Sequence, residues 1–354
     1  MATTKTYHDQ IEQDYTLRLR DILKTLPPFA KDYFRALEPR TSVRTRINYA
    51  YDIRVFFYFL MEMNPVYKDY TIDQFKVEDL EHIEPADIEE YMEYLKVYKK
   101  DSQEEYITNG ERGLKRKMSA LRSFYNYYYT RQSIQKNPTL LVEMPKLHDK
   151  AIIRLDTDEI ALLLEYVENC GSKLTGQALR YYNKTKDRDI AILTLLLGTG
   201  IRVSECVGLD LTDVDFKNYG ITVTRKGGNQ MVVYFGDEVA DALLQYIEGD
   251  RKATKALEGH ENALFLSTQR KRMGVQSVEN MVKKYTKMVT PNKKITPHKL
   301  RSTYGTALYK ETGDIYLVAD VLGHKDVNTT KKHYAAIDED RRRQAAGVVK
   351  LREP

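Results

Sequence analysis

Tryptophan is absent from the 354 residues, and cysteine occurs only as Cys170 and Cys206. Two thiols cannot build a disulfide framework or a four-thiolate metal site. Cys206 sits in an apolar stretch and reads as a small core residue. No apolar run approaches the roughly 18–20 residues of a membrane span. Residues 1–10 are polar and lack the apolar core of a secretion signal. Together these absences point to a cytoplasmic chain. Internal repeats, low-complexity tracts and a nucleotide-binding glycine loop are also missing. A strong excess of one charge is lacking too: 56 Lys and Arg face 51 Asp and Glu, a formal net charge of +5. That balance leans toward a polyanionic partner without requiring one, so the placement of the charges matters more than their sum. What remains is an ordinary globular composition, 42% hydrophobic and 30% charged, in a chain long enough for two domains with separate cores.

The first part reads as helical. Over 45–60 the residues Tyr49, Ile53, Phe56, Phe57 and Leu60 recur at helical spacing, and Pro65 breaks the run. A second helix is expected over 85–100, with Pro85 in its first turn and Ile88, Met92 and Leu95 facing inward. Over 111–131, Leu114, Met118, Leu121, Tyr125 and Tyr128 form one stripe. Arg112, Lys115, Arg116, Ser119, Arg122 and Ser123 fall on the opposite side. A solvated face explains this pattern, and so does a helix that lays cations and hydroxyls against phosphates. On the second reading Arg112, Lys115, Arg116 and Arg122, with Arg44, are candidates for DNA binding. Asn137-Pro138 stops the region, and an aperiodic connector holding Lys146, His148, Lys150 and Arg154 follows. About ten extended residues reach roughly 30 Å, enough to pass around one side of a duplex. The expected division is a helical domain over 1–145, a linker over 146–156 and a second domain over 157–354.

The second domain opens with a helix over 157–168, followed by a polar stretch at 171–186 that reads as an insertion. Residues 190–197 are apolar all round and suit a buried helix stopped by Gly198-Thr199-Gly200. Three β-like runs, 213–216, 221–224 and 231–234, are separated by turn residues and suggest a three-stranded meander. Helices are expected to return after Asp237 and to continue to the end.

Four places in this domain carry residues suited to chemistry. Arg202 follows a glycine turn where a helix begins, and pairing with Glu205 at i,i+3 explains it equally well. Arg225 and Lys226 stand at the tip of the predicted hairpin, a position that suits either a solvated turn or a cation projected into a cleft. In Thr296-Pro297-His298-Lys299-Leu300-Arg301, Thr296 can cap a helix and Pro297 suits its first position. His298 and Arg301 then share one face near the positive end of the helix dipole, which favours an anion. Finally, Leu322-Gly323-His324 ends a short helix begun near Asp314, with Gly323 as its stop. Tyr334 follows ten residues later, after Asn328 as a cap, but it is one of 27 tyrosines.

Taken in order, Arg202, Lys226, His298, Arg301, His324 and Tyr334, with Glu205 as acidic companion, resemble the signature of the tyrosine recombinase (integrase) family. The segment 117–125, then Asn137-Pro138 and Pro145-Lys146, is similar to the core-binding domain of its Xer branch, and 188–205 to the Xer catalytic domain. Length and the 171–186 segment look most like the single Xer recombinase of streptococci and lactococci. One feature departs from the pattern: Tyr334 stands one residue later than in most of the family, where the matching position here is His333.

The resemblance implies a mainly α fold with a small β meander. It further implies a C-shaped DNA clamp made of a helical core-binding domain and a mixed α/β catalytic domain. Its implied activity is DNA cleavage and rejoining through a 3′-phosphotyrosine at Tyr334, without a cofactor or metal. Arg202 and Arg301 would hold the phosphate, His298 and His324 would add donors, and Lys226 would serve as the acid. Implied partners are double-stranded DNA carrying a recombination site, three further copies in a homotetramer, and the septal translocase FtsK in chromosome dimer resolution. The tail with Arg341-Arg342-Arg343 and Val348-Val349 would pack on a neighbouring protomer. Other readings stand beside this one: an integrase of a transposon or phage, a DNA-binding protein that has lost catalysis, and a metal hydrolase using His298, His324 and His333.

Overall fold

In the computed structural model, which describes residues 7–99, 105–148, 152–225, 228–324 and 327, most of the periodic apolar stretches are helices. The chain divides into two units, Met1–Lys150 and Ala151–Pro354. In the first, α1 (Tyr7–Leu23), α2 (Ala30–Leu37), α3 (Val43–Met63), α4 (Pro85–Tyr94) and α5 (Glu111–Thr130) surround one core, and a small hairpin joins α4 to α5. Helix α3 starts where the Ser42 hydroxyl accepts from Thr45 N–H at 3.3 Å, satisfying one of the amides that a helix start leaves unpaired.

Aromatic rings dominate this core. Tyr33, Phe34, Phe56, Phe57, Phe59, Tyr91, Phe124 and Tyr125 are fully buried. Burying each such side chain contributes about 1.5–3 kcal/mol before entropy is counted. Edge-to-face pairs such as Tyr33–Phe124, with centroids 5.2 Å apart and planes at 87°, fix their orientation. Two buried phenol groups find polar partners: Tyr33 donates to Ser123 Oγ at 2.9 Å and Tyr128 to the Phe29 carbonyl at 2.9 Å.

Helix α4 is shorter than the sequence pattern suggests. It stops at Tyr94, and β1 (Val97–Lys99) pairs antiparallel with β2 (Tyr106–Thr108), Val97 opposite Thr108. Val97 and Tyr98 favour the pleated backbone, and Asn109 Nδ2 caps the helix end by donating to the Leu95 carbonyl at 2.7 Å.

The second unit contains α6 (Thr157–Asn169), α7 (Gly176–Thr199), α8 (Val203–Gly208), β3 (Val214–Asp215), β4 (Gly220–Thr224), β5 (Gln230–Tyr234), α9 (Asp237–Tyr246), α10 (Val275–Val289), α11 (Pro297–Thr312) and α12 (Ile315–Leu322). Most of the polar 171–186 stretch, for which the sequence suggests no element, is the front of α7. Tyr182 secures it by donating to the Val167 and Glu168 carbonyls at 3.0 and 2.6 Å. The rear of α7 is buried on all sides, as its composition requires.

The sheet is the expected meander, β3-β4-β5, with Ile221 opposite both Val214 and Val233. Helix does not run continuously after α9. Residues 254–274 form turns and isolated bridges, in keeping with Gly259, Asn262 and Gly274 in that stretch. Strand β4 ends at Thr224, one residue before Arg225, and helices α7, α11 and α12 converge on the region considered next.

Candidate active site

Two helix ends and three guanidinium groups build this site. Helix α7 ends at Gly200 in the left-handed conformation, φ 64°, and α12 ends at Gly323 with φ 62°. Glycine adopts this conformation at little cost. Space also demands it at Gly200, where a Cβ would lie 2.4 Å from the Tyr304 ring and 3.0 Å from Leu322. Helix α12 is fixed at its start by Asp314, whose side chain accepts from Tyr316 and Leu317 N–H at 2.8 and 3.1 Å. Its apolar face, Val318 and Leu322, packs on Tyr309 of α11.

Arg301, on α11, is buried and joins the two ends. Its Nη1 donates to the Gly200 carbonyl at 2.6 Å and its Nη2 to the Leu322 carbonyl. Arg202 precedes α8. Its Nη1 meets Glu205 Oε1 at 2.7 Å and its Nη2 the Gly323 carbonyl at 3.3 Å, while Glu205 Oε2 accepts from the Arg202 amide at 2.7 Å. The i,i+3 pairing that would explain Arg202 as a surface residue is therefore present, but its carboxylate is buried, only 3% exposed, and the same guanidinium also reaches the end of α12.

Arg225, at the end of β4, is the third cation. Its Nη2 donates to the Val321 carbonyl at 2.9 Å. Burial, and after it the neighbouring Arg202 charge, lower its affinity for its proton, while Glu205 and Asp320 act in the opposite direction.

Three like charges gather here because each meets negative charge. Helix C-termini carry about half a negative charge and carbonyls without helical partners, and Glu205 adds a full one. The guanidinium fork carries five N–H donors. The Arg202 side chain is 38% exposed, so part of its fork faces solvent beside the two anchored edges. Donors fixed in this way on Arg202 and Arg301 can receive a phosphate whose non-bridging oxygens gain charge during reaction.

His324 immediately follows Gly323, and its amide donates to the Ala319 carbonyl at 2.9 Å, so the α12 end sets its position. His298 lies in the first turn of α11, exposed, on the same helix as Arg301. Pro297 takes the first helical position, but Thr296, though extended, makes no capping bond. Among the candidates, Arg202, Glu205, Arg301 and the backbone of His324 are thus linked through two helix ends, and His298 shares α11 with Arg301. Lys226 and Tyr334 lie outside the described residues, as do His333, Asn328, the 341–343 arginines and Val348-Val349. Arg225, read from the sequence with Lys226 as a cation at the hairpin tip, turns its side chain onto the end of α12.

In the first unit the basic face of α5 divides. Arg112 is exposed and Lys115 half-buried, and Arg44 is exposed near the start of α3. Arg116 pairs with the buried Asp52, whose other oxygen takes Lys117 at 3.0 Å. Burial raises the Asp52 pKa, and Lys117 and then Arg116 oppose it. Arg122 donates through Nε to the Thr139 carbonyl at 3.0 Å and through Nη2 to the Val142 carbonyl. Those contacts give Arg122 a structural task that its place on the helical wheel does not reveal.

Among the described residues no group of three or more His, Cys, Asp or Glu side chains is arranged to hold a metal ion, and no helix is long and apolar enough to cross a membrane. The model of the phage integrase family matches residues 154–341. The chain belongs to the phage integrase family. This integrase-family chain is 33% identical over 330 residues to tyrosine recombinase XerC of Caldanaerobacter subterraneus subsp. tengcongensis, covering 90% of this chain and 86% of that one. It is 30% identical over 351 residues to tyrosine recombinase XerS of Streptococcus uberis, covering 92% and 96%. Among solved structures it is similar to the XerH site-specific recombinase bound to palindromic difH substrate, with TM-score 0.61 and 17% identity over 86% of this chain and 79% of that one. A lambda integrase dimer bound to a core site gives TM-score 0.57 and 17% identity, covering 86% and 93%. The integrase family thus accounts for the mainly helical fold with its small antiparallel sheet.

Proposed function

We propose that this site-specific DNA recombinase cuts and rejoins double-stranded DNA through Tyr334, with Arg202, Arg301, His298, His324 and Lys226 as its catalytic set and Glu205 as support. The observation that carries the proposal is the convergence of guanidinium groups on the two helix ends that precede Ile201 and His324. In the forward step the Tyr334 oxygen bonds to phosphorus and the bond to the 5′-oxygen breaks. The phenol proton passes to a base, with His298 as the candidate, and the 5′-oxygen takes a proton from Lys226. A free phenol has a pKa of about 10, so a cationic site or a base must assist its attack near neutral pH. Arg202 and Arg301 hold the charge that grows on the non-bridging oxygens. The 3′-phosphotyrosine retains the bond energy, and attack by a 5′-hydroxyl reverses the step without ATP.

The XerC and XerS names of the relatives fit a role in resolving chromosome dimers; on this reading the protein acts in the cytoplasm, with four protomers on two sites and FtsK as the translocase partner. Arg112, Lys115, Arg116 and Arg44 of the first unit supply phosphate contacts, while Arg122 is assigned to structure. A test uses Tyr334→Phe, which should bind the site and form no covalent adduct. Adducts that persist and map to Tyr316 or another residue would assign the nucleophile elsewhere. A variant and a wild type that both bind the site and both fail to form adducts would turn the reading toward a DNA-binding protein without catalysis.

A further inference from the structure

Arg225 is tied down at both ends. Its backbone closes the β4–β5 turn: the Arg225 amide donates to the Asn229 carbonyl at 2.8 Å, and Gly228 N–H donates to the Arg225 carbonyl at 3.0 Å. Its side chain crosses to the end of α12, where Nη2 meets the Val321 carbonyl at 2.9 Å. The Nη1 end of the guanidinium abuts Gly323, so close that a Cβ on Gly323 would fall 0.9 Å from Nη1. Among the described residues its buried Nε finds no hydrogen-bond partner. A cation placed beside Arg202 with one donor unsatisfied weakens the fold at this point, so the contact calls for a return in function. Lys226, the next residue in the chain, lies outside the described residues.

We propose that Arg225 is a positioning residue for the recombination reaction: it fastens the turn that carries Lys226 to the α12 end that carries His324. Proton donor and phosphate site are thereby held in one frame. This rests on the reading of Lys226 as the acid, and Arg225 itself touches neither the phosphate nor the leaving oxygen. Lysine side chains are long and rotate freely, so a proton donor of this kind gains from having its backbone fixed against the group it serves.

The test uses the full-length protein and a duplex carrying the site recovered from genomic DNA trapped covalently by the wild type. Two substrates are compared, one with the normal bridging 5′-oxygen and one with sulfur in its place. A thiol, with a pKa near 8.5, departs without the proton that an alkoxide needs. Arg225→Ala and Arg225→Met should cleave the oxygen substrate about a hundredfold more slowly than wild type and the sulfur substrate at nearly the wild-type rate, as Lys226→Ala should. The oxygen-to-sulfur rate ratio within one preparation is independent of how much protein is folded. On the oxygen substrate, the double variant lacking both side chains should be no slower than Lys226→Ala, because Arg225 acts through Lys226. Equal slowing on both substrates would overturn the proposal and place the guanidinium on the non-bridging oxygens or in the fold alone. Unchanged cleavage would overturn it as well. If Lys226→Ala is not rescued by sulfur, the acid reading itself has failed, and the positioning role falls with it.

Discussion

Helical periodicity puts Arg112, Lys115, Arg116 and Arg122 on one face, yet their tasks differ. Arg122 commits two donors to the Thr139 and Val142 carbonyls, in and just after the short turn Pro138–Leu140. Replacing it with alanine strips both carbonyls of a charged donor, and the loss should be about 1–3 kcal/mol. Thermal or urea unfolding of Arg122→Ala measures it, and the salt dependence of DNA binding should stay near that of wild type. The pair Arg112→Ala with Lys115→Ala should do the reverse. Stability should hardly move, and the slope of log affinity against log salt should flatten by about two, one for each lost phosphate contact. An unchanged slope would return Arg112 and Lys115 to the solvated face. The sequence could not separate these residues, because a helical wheel shows which side an arginine leaves from and not the loop carbonyl at which its fork arrives.

At the scale of elements, the pattern was legible wherever local chemistry decides. The α3 and α5 stripes, the meander and the α12 stop at Gly323 each rest on spacing or on one glycine. It failed where tertiary contacts override composition. The polar 171–186 stretch is largely helical because Tyr182 pins it to the end of α6, and α4 yields to a hairpin after Leu95. The order of the catalytic candidates was readable, whereas their meeting was not: it depends on carbonyls of Gly200, Leu322 and Gly323, which no side-chain pattern reports. Gly323 offers a direct check. Alanine there is strained by the left-handed backbone and also collides with Arg225. Gly323→Ala should cost more than about 1 kcal/mol, and combining it with Arg225→Ala should cost less than the two changes summed, because the collision is gone. Additive costs in urea unfolding would mean that α12 shifts to absorb the methyl group.

The whole molecule divides at 150/151, and the first unit holds a ring-filled core of its own. Expressed alone, residues 1–150 should unfold in a single cooperative transition and bind duplex DNA weakly, with a salt slope carried by Arg44, Arg112, Lys115 and Arg116. A broad transition without cooperativity would show that this core needs its neighbour. A last consequence concerns how a silent version of the protein is made. Arg301 carries no spare freedom: it is buried, it rivets the Gly200 end of α7 to the Leu322 end of α12, and its removal leaves both carbonyls without that donor. An Arg301→Ala allele should therefore behave in a cell as an absent protein, its abundance on an immunoblot falling along with its activity. His298, exposed on the first turn of α11, takes no part in the hydrogen bonds of that rivet. A His298→Ala allele should stay abundant and, on the reading of His298 as a catalytic residue, occupy the recombination site and obstruct the intact copies, so the two alleles should part company in a heterozygous strain, the first recessive and the second interfering.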